Sequence, residues 1–342
     1  MAHFRKCFRK CLDYVRQAAC FGIRKGFGGN KQDFHRASVI LKTVTEQRSF
    51  VKRTEEANFP SSDLKTIAAT LGGEMPRQRM GQHFLRDLGW RKRILATLPH
   101  DSNDTWIEIG AGHGEMTALL ADSGCRVIAI EGDPPLADQL RARLEAEPNE
   151  WQRVEVISGD VLTQDLATLT DGTRFRVYGN LPYYITSPIL HQLFAYADLI
   201  DSIHIVIQLE VAERIVAQPG RREYGYLSAA CQFYSKPKIA LRLPPGAFRP
   251  PPRVESALVE MTLPGERSRL NVGDAAQEKR FLEFVQTCFS QKRKTLRNNL
   301  RALTPDQHIH DTLSSVGLRP DARAEQLSLA QFAEIFRQLK ST

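Results

Sequence analysis

Between residues 104 and 264 the apolar positions alternate between two periods. Short, nearly continuous apolar runs, "TWIEIG", "RVIAIEGD", "VEVISGD", "RFRVYGN" and "SIHIVIQLE", predict five buried strands. Between them, "EMTALLADSG", "PPLADQLRARLEAEP" and "SPILHQLFAYA" space their apolar residues for helices. Gly124 ends the first helix; Pro134 and Pro135 suit the opening turn of the second, and Pro148 closes it. Strands and helices at this spacing predict right-handed β-α-β crossovers and a mainly parallel, doubly wound sheet. "KIALRLPPGAFRPPPRVESALVEMTL" reads as two further β segments joined by a proline-rich loop, an antiparallel pair that closes the sheet. Past Pro264-Gly265, "EKRFLEFVQTCFSQKRKTLRNNLRAL" and "SLAQFAEIFRQLK" have helical period. An α/β domain over 75–264 followed by a small all-helical domain over 265–342 is therefore expected.

Residues 1–74 follow neither pattern. They hold 14 of the 47 Lys+Arg and 7 of the 39 Asp+Glu, so this basic extension carries +7 of the net +8 and the remainder only +1. Bulk charge is thus no argument for nucleic-acid binding by the main body, and local clusters must carry it. The extension has three readings: an Arg-rich transit peptide, an RNA-binding arm, or a mis-assigned start with Met75 as the first residue. The last is preferred, because "MPRQRMGQHFL" reads as a natural beginning and nothing upstream reads as a packed element; if translated, the extension is expected to be disordered. No apolar run approaches the ~20 residues that span a bilayer. The six cysteines are scattered without a C-x-x-C spacing, so no metal site is expected and reduced thiols in a cytoplasmic protein are the default.

The first strand runs into "EIGAGHGEMT", where Gly110, Gly112 and Gly114 let the backbone turn sharply and approach a ligand. The third glycine comes one position earlier than in the dinucleotide fingerprint, and Glu115 takes its place, so a pyrophosphate on this helix is less expected. A bare tight turn is the competing reading. Glu131 ends the second strand, where a carboxylate can accept from both ribose hydroxyls; Asp160 follows the third, within reach of an adenine amino group. Each alone would be read as a cap or a solvated acid. Both at strand carboxyl ends downstream of the glycine loop favour a nucleoside without phosphates, and S-adenosyl-L-methionine fits better than NAD.

"VYGNLPYYITSPIL" places Asn180 at the end of the fourth strand. An adenine amine is a poor nucleophile because its lone pair is delocalised into the ring. Two acceptors on its N–H groups, the Asn180 side-chain oxygen and the Leu181 carbonyl, would turn the lone pair towards an electrophilic methyl. Pro182 holds the turn rigid, and Tyr183 offers a ring for the base to stack on. An ordinary Asn-Pro turn is the plain alternative.

Taken in order, "GQHFL" (81–85), "EIGAGHGEMT" (108–117), "IEGD" (130–133), "GD" (159–160), "GNLPYYITSPIL" (179–190), "AFRPPPRVESALV" (247–259) and "QKRKTLRNNL" (291–300) resemble the small-subunit ribosomal RNA adenine N6-dimethyltransferase family. The resemblance covers roughly Arg77 to the C-terminus. It implies a class I S-adenosylmethionine-dependent methyltransferase fold with a small C-terminal helical domain. It also implies transfer of methyl groups to N6 of two adjacent adenosines in a hairpin loop near the 3′ end of small-subunit rRNA, during ribosome biogenesis. It carries cofactor contact onto His83, Leu85, Gly110, Gly112, Glu131, Asp160 and Asn180, and base stacking onto Phe248 opposite Tyr183. His83 stands where many members have Asn, and would keep one donor for the cofactor. Gly132 stands where they have a bulky apolar residue.

In "QKRKTLRNNLR", Arg293, Arg297 and Arg301 would share a helix face at i, i+4, i+8 and form a phosphate-binding ridge. A solvated helix face is the common alternative. The expected partner is small-subunit rRNA within a pre-ribosomal particle, bound by a monomer away from membranes. Three rivals stand: a large-subunit rRNA adenine methyltransferase conferring macrolide resistance, a non-catalytic RNA-binding factor of the same fold, and, least favoured, a nicotinamide oxidoreductase.

Overall fold

The computed structural model describes residues 83–147, 151–182, 185–301 and 303–340. All belong to one unit, Arg77–Thr342. The extension 1–74 lies outside the described residues, as does Tyr183.

Two short strands, β1 (Phe84–Leu85) and β8 (Phe248–Arg249), pair antiparallel with Leu85 opposite Phe248. Among the described residues the remaining strands form one seven-stranded sheet. These are β2 (Thr105–Ile109), β3 (Arg126–Glu131), β4 (Val154–Ser158), β5 (Phe175–Asn180), β6 (Ile200–Gln208), β7 (Lys236–Leu243) and β9 (Ser256–Thr262). Their order is β4-β3-β2-β5-β6-β9-β7. The first five are parallel, and β9 is antiparallel to both β6 and β7. The proline-rich loop thus joins an antiparallel pair that closes the sheet, as the sequence predicts.

The central strands are apolar on both faces because helices cover both. Ile107, Ile109, Ile128, Ile130 and Val177 pack on one side with α5 (Thr186–Phe194). Trp106, Val127, Tyr178 and Val206 pack on the other with α1 (Leu88–Leu95) and α2 (Glu115–Asp122). Helix α3 (Pro134–Ala146) follows β3 with proline in its first turn, and a short α4 (Leu166–Leu169) precedes β5.

A second hydrophobic core lies under the C-terminal helices. Phe281, Phe284 and Val285 of α9 (Ala275–Cys288), Ile309 of α11 (Asp306–Ser315) and Phe332, Ile335 and Phe336 of α12 (Leu329–Lys340) meet there. Ala229, Ala230 and Phe233 join them from α7 (Tyr226–Tyr234), which follows α6 (Leu209–Val216) and precedes the last sheet strands. The helical core thus borrows an element from upstream of residue 265. A one-turn helix α8 (Arg267–Leu270) leads into α9.

The helix predicted through "QKRKTLRNNL" is broken, and this corrects the expected ridge. Helix α9 stops at Cys288, and α10 (Leu296–Leu300) starts anew with Thr295 as N-cap, its hydroxyl accepting from Asn298 N. Asn299 holds the corner: its amide donates to the Cys288 carbonyl at 2.6 Å, an acceptor that the end of α9 leaves unpaired. Arg293 therefore sits in the turn, Arg297 on α10 and Arg301 just past it. The three therefore do not share one helix face: Arg297 and Arg301 stay together, and Arg293 is out of line with them. Replacing Thr295 by Ala should lower stability by about 1 kcal/mol through loss of the cap; the urea midpoint reads this, and an unchanged midpoint would show that the cap does not hold the break.

Candidate active site

Strand order reverses between β2 and β5, and at such a switch point the loops leave in opposite directions and open a crevice at the strand carboxyl ends. The parallel register brings the predicted site residues to that edge in spatial order. Ile109, just before Gly110, pairs with Ile130 on one side and Gly179 on the other; Glu131 pairs with Ser158, and Asn180 with Val206. Positions scattered over some 70 residues of sequence thus line four adjacent strands, about 4.8 Å apart.

The glycine loop is left-handed at all three glycines, with φ of +74° at Gly110, +58° at Gly112 and +81° at Gly114. Gly114 is the N-cap of α2, and a Cβ there would stand 2.4 Å from Leu140 Cδ1. The loop is held from below by Glu131: its Oε2 accepts from Gly112 N at 2.7 Å, and its Oε1 from Asp133 N at 2.8 Å. A carboxylate offers about four acceptor sites, so two hydroxyls of a ribose can still be accommodated. Asp160 caps the turn that follows β4, taking Leu162 N on one oxygen while remaining exposed. The structural role anticipated as its alternative is thus present, and its second oxygen faces no backbone donor among the described residues. At Gly132 a Cβ would meet nothing closer than Gly159 O, at 4.0 Å, so the space a bulky residue would take is open.

Asn180 is oriented by its neighbours. Its Nδ2 donates to the His83 carbonyl at 2.8 Å. A carbonyl only accepts, so this bond fixes which end of the amide is nitrogen and directs Oδ1 to the other side. Leu181 is buried and donates its N–H to Val206 O, which pins the turn to β6. Among the described residues no backbone N–H is bonded to the Leu181 carbonyl. The turn meets the glycine loop: a Cβ on Gly110 would lie 3.8 Å from Asn180 O.

The segment 83–87 straps the site. Arg86 N and Asp87 N both donate to Ala247 O, and the Phe84 ring lies 3.2 Å from where a Gly112 Cβ would be. His83 departs from its expected role. Its Nδ1 is 2.7 Å from Pro250 O and must carry the proton there, so the donor expected for a cofactor is spent on the proline loop. Leu85 is buried in the core beneath this strap. Phe248 is likewise corrected: it is 1% exposed, packed among Leu85, Tyr178 and Ala247, because the β1/β8 pairing turns its ring inward. A ring so covered offers no face for stacking.

Sequence reasoning missed Glu108. It is the one acid inside the apolar run "TWIEI", and that was the available signal. It is buried, with Oε2 accepting from Thr117 Oγ1 at 2.5 Å. Burial pushes its carboxyl up to about 8, the Thr117 hydroxyl opposing and the charges of Glu115 and Glu131 adding to the rise.

The sequence model of the ribosomal RNA adenine dimethylase family matches residues 73–341. The chain belongs to this family. A ribosomal RNA small subunit methyltransferase A from Acidobacterium capsulatum is 40% identical over 284 residues, covering 82% of this chain and 96% of the relative. Its counterpart from Koribacter versatilis is 38% identical over 277 residues, covering 77% and 94%. Among solved structures, a dimethyladenosine transferase from Plasmodium falciparum aligns with a TM-score of 0.64 at 24% identity, over 76% of this chain and 98% of that one. The 23S rRNA methyltransferase ErmE aligns with a TM-score of 0.57 at 27% identity, over 75% and 99%. The α/β methyltransferase fold expected from the sequence is thus shown.

Gly114 gives a direct test of the loop. Gly114→Ala should destabilise the protein by about 2–4 kcal/mol, combining a left-handed backbone with an overpacked Leu140. Urea unfolding checks this, and a loss below about 0.5 kcal/mol would mean the loop yields without strain.

Proposed function

We propose that the chain is an S-adenosylmethionine-dependent rRNA adenine-N6,N6-dimethyltransferase that modifies two adjacent adenosines in a hairpin loop near the 3′ end of small-subunit rRNA. The observation that carries this reading is the orientation of Asn180. The His83 bond holds its Nδ2 and so leaves Oδ1 free on the other end of the amide, on a residue whose backbone oxygen meets the glycine loop and whose neighbour Leu181 is pinned to β6. The residues fit the cofactor: a left-handed glycine turn, a buried carboxylate with spare acceptor sites at ribose position, and an exposed one at the adenine edge. When bound, S-adenosylmethionine supplies an electrophilic methyl.

The chain's part is then orientation. Asn180 Oδ1 and Leu181 O accept the two N–H groups of the target amine and pull the nitrogen towards tetrahedral geometry, so that its lone pair faces the glycine loop. The proton displaced from nitrogen leaves to solvent, and no buried base is needed. Pro182 and the Val206 bond keep the two acceptors from rotating away, so most of the rate gain comes from alignment and exclusion of water. Tyr183, the next residue of the motif, supplies the stacking ring. A base inside a duplex must leave its stack to reach this slot.

The RNA surface differs from the one first expected. Arg297 and Arg301 both pair with Asp306, whose carboxyl they hold well below the usual range. Arg293 belongs instead to a patch where three loops meet. Gly220 N donates to Glu325 O at 2.7 Å, Leu296 N to Ala322 O at 2.8 Å, and Lys292 Nζ to Arg222 O. This assembles Arg221, Arg222, Lys292, Arg293, Lys294 and Arg323, all exposed and in no ion pair with the described residues. Such a surface fits an RNA backbone. In this reading 75–264 is the catalytic domain and 265–342 the helical RNA-binding domain. The protein works as a cytoplasmic monomer on a pre-ribosomal particle, without a membrane. No helix among the described residues is long and apolar enough to cross one. Large-subunit rRNA is the second candidate substrate, favoured only by the likeness to ErmE.

Incubation with undermethylated small subunits and labelled donor, followed by mapping of the modified nucleotides, tests the assignment. Modification of large-subunit rRNA alone would transfer it to the second reading. Asn180→Ala should cut methyl transfer by about 10²–10³-fold, the usual loss for one preorganised polar contact, with RNA affinity unchanged; full turnover would refute the amine-gripping role. Replacing Arg221, Arg222 and Arg293 by Ala should reduce the slope of log affinity against log salt by about 0.7–0.9 per lost phosphate contact, whereas Arg297→Ala should change it less.

A further inference from the structure

The parallel ladder between β5 and β6 parts at the Asn180 turn. Leu209 N bonds Glu255 O and Leu263 N bonds Asp201 O, so the odd-numbered residues of β6 direct their backbone groups to β9. The even-numbered ones therefore direct theirs to β5. The last rung runs from Leu181 N to Val206 O at 3.1 Å. With Asn180 opposite Val206, the next rung of a parallel ladder would run from Gln208 N to Leu181 O. It is not formed, and neither group has a hydrogen-bond partner among the described residues. The strands part because β5 gives way to the Pro182 turn and β6 to α6, which starts at Leu209. Leu181 precedes a proline, which favours extended backbone, so its carbonyl lies on the same side as its N–H and faces β6. Gln208 is half-buried at the end of its strand. A main-chain acceptor and a main-chain donor thus stand side by side, next to Asn180.

Unpaired backbone groups of this kind are uncommon away from open solvent and call for a partner. Adenine offers a matching edge. Its amine donates, and N1, the ring atom beside the amine-bearing carbon, accepts. We propose that the Watson–Crick edge of the target adenine takes the place of the missing rung: N6–H donates to Leu181 O, and Gln208 N–H donates to N1. This rests on the reading of the chain as an adenine-N6 methyltransferase, and it adds a contact to the ring where that reading has contacts only to the amine. Guanine and uracil present a carbonyl and a ring N–H in the reverse order. Against them two acceptors would face each other at Leu181 and two donors at Gln208, so the rung selects the base by its edge.

The contact also outlasts the first transfer. N6-methyladenosine has lost one of its two N–H groups to the acceptors' side, whereas N1 is unchanged. The bond from Gln208 then carries a larger share of the placement of the singly methylated base, and the second transfer depends on it more than the first.

Small subunits reconstituted with rRNA that carries adenosine, 1-deazaadenosine or 7-deazaadenosine at the target positions, methylated with labelled donor, test the rung. Wild-type protein should lose about tenfold in kcat/KM on the 1-deaza substrate, with singly methylated product accumulating, and should use the 7-deaza substrate much as it uses adenosine. Gln208→Pro removes the N–H at a position whose φ of −57° already suits proline and whose predecessor, Ile207, lies in a strand. This variant should be poor on adenosine and lose no more on 1-deazaadenosine. A substitution that only disturbed the fold or narrowed the slot would slow both substrates and keep the wild-type ratio between them. Gln208→Ala retains the N–H and should keep that ratio. Differences in the analogue's own reactivity cancel when the ratios are compared. An undiminished rate of the wild type on 1-deazaadenosine, a loss on 7-deazaadenosine instead, or the same ratio in Gln208→Pro as in the wild type would overturn the rung while leaving the grip on the amine standing. Failure of the wild type to methylate the adenosine particles would overturn both.

Discussion

The Asn180 side chain donates to the His83 carbonyl across 97 residues of sequence, and the candidate site is organised around that bond. An asparagine amide has two chemically different ends that differ little in shape. A partner with a single role, such as a backbone carbonyl that only accepts, decides between them. His83 provides it through its backbone, and is itself anchored by Nδ1 to Pro250. The strap 83–87 is fixed at its other end to Ala247. The orientation of one amide thus depends on a loop about 70 residues further along the chain.

The glycine loop obeys the same logic. Left-handed backbone at three positions is accessible to glycine, but accessibility alone does not choose a conformation. Glu131 does so by accepting from Gly112 N, and Leu140 closes the space beside Gly114. The loop and the Asn180 turn then meet at the edge where strand order reverses. Charge follows from this packing: a carboxylate on the solvent side of a loop is ordinary, whereas burial behind it raises the pKa of Glu108.

At the C-terminal end, backbone satisfaction overrides side-chain periodicity. "QKRKTLRNNLR" has helical spacing, yet Asn299 and Thr295 offer better partners to the chain ends than a continuing helix does. The break takes Arg293 out of line with Arg297 and Arg301 and places it with basic residues of two other loops. Asp306 then neutralises much of what would have been the ridge.

The order of the strands across the sheet came from the tertiary structure, while the sequence by itself determined which segments form the seven strands of the main sheet, its mainly parallel character, the antiparallel closure, the glycine loop and the acids at the ends of β3 and β4. Each of these is written in local periodicity or in a residue with unusual backbone freedom. The ordered motifs also determined the family. Tertiary structure alone decided that His83 spends its donor on Pro250, that Phe248 is packed inward by the β1/β8 pairing, that Glu108 is sealed from water, and that α7 belongs to the helical core. These outcomes depend on which distant segments share a hydrogen bond or a dry surface. No window of local sequence contains both partners of such a contact, so no periodicity or propensity within it can report the result.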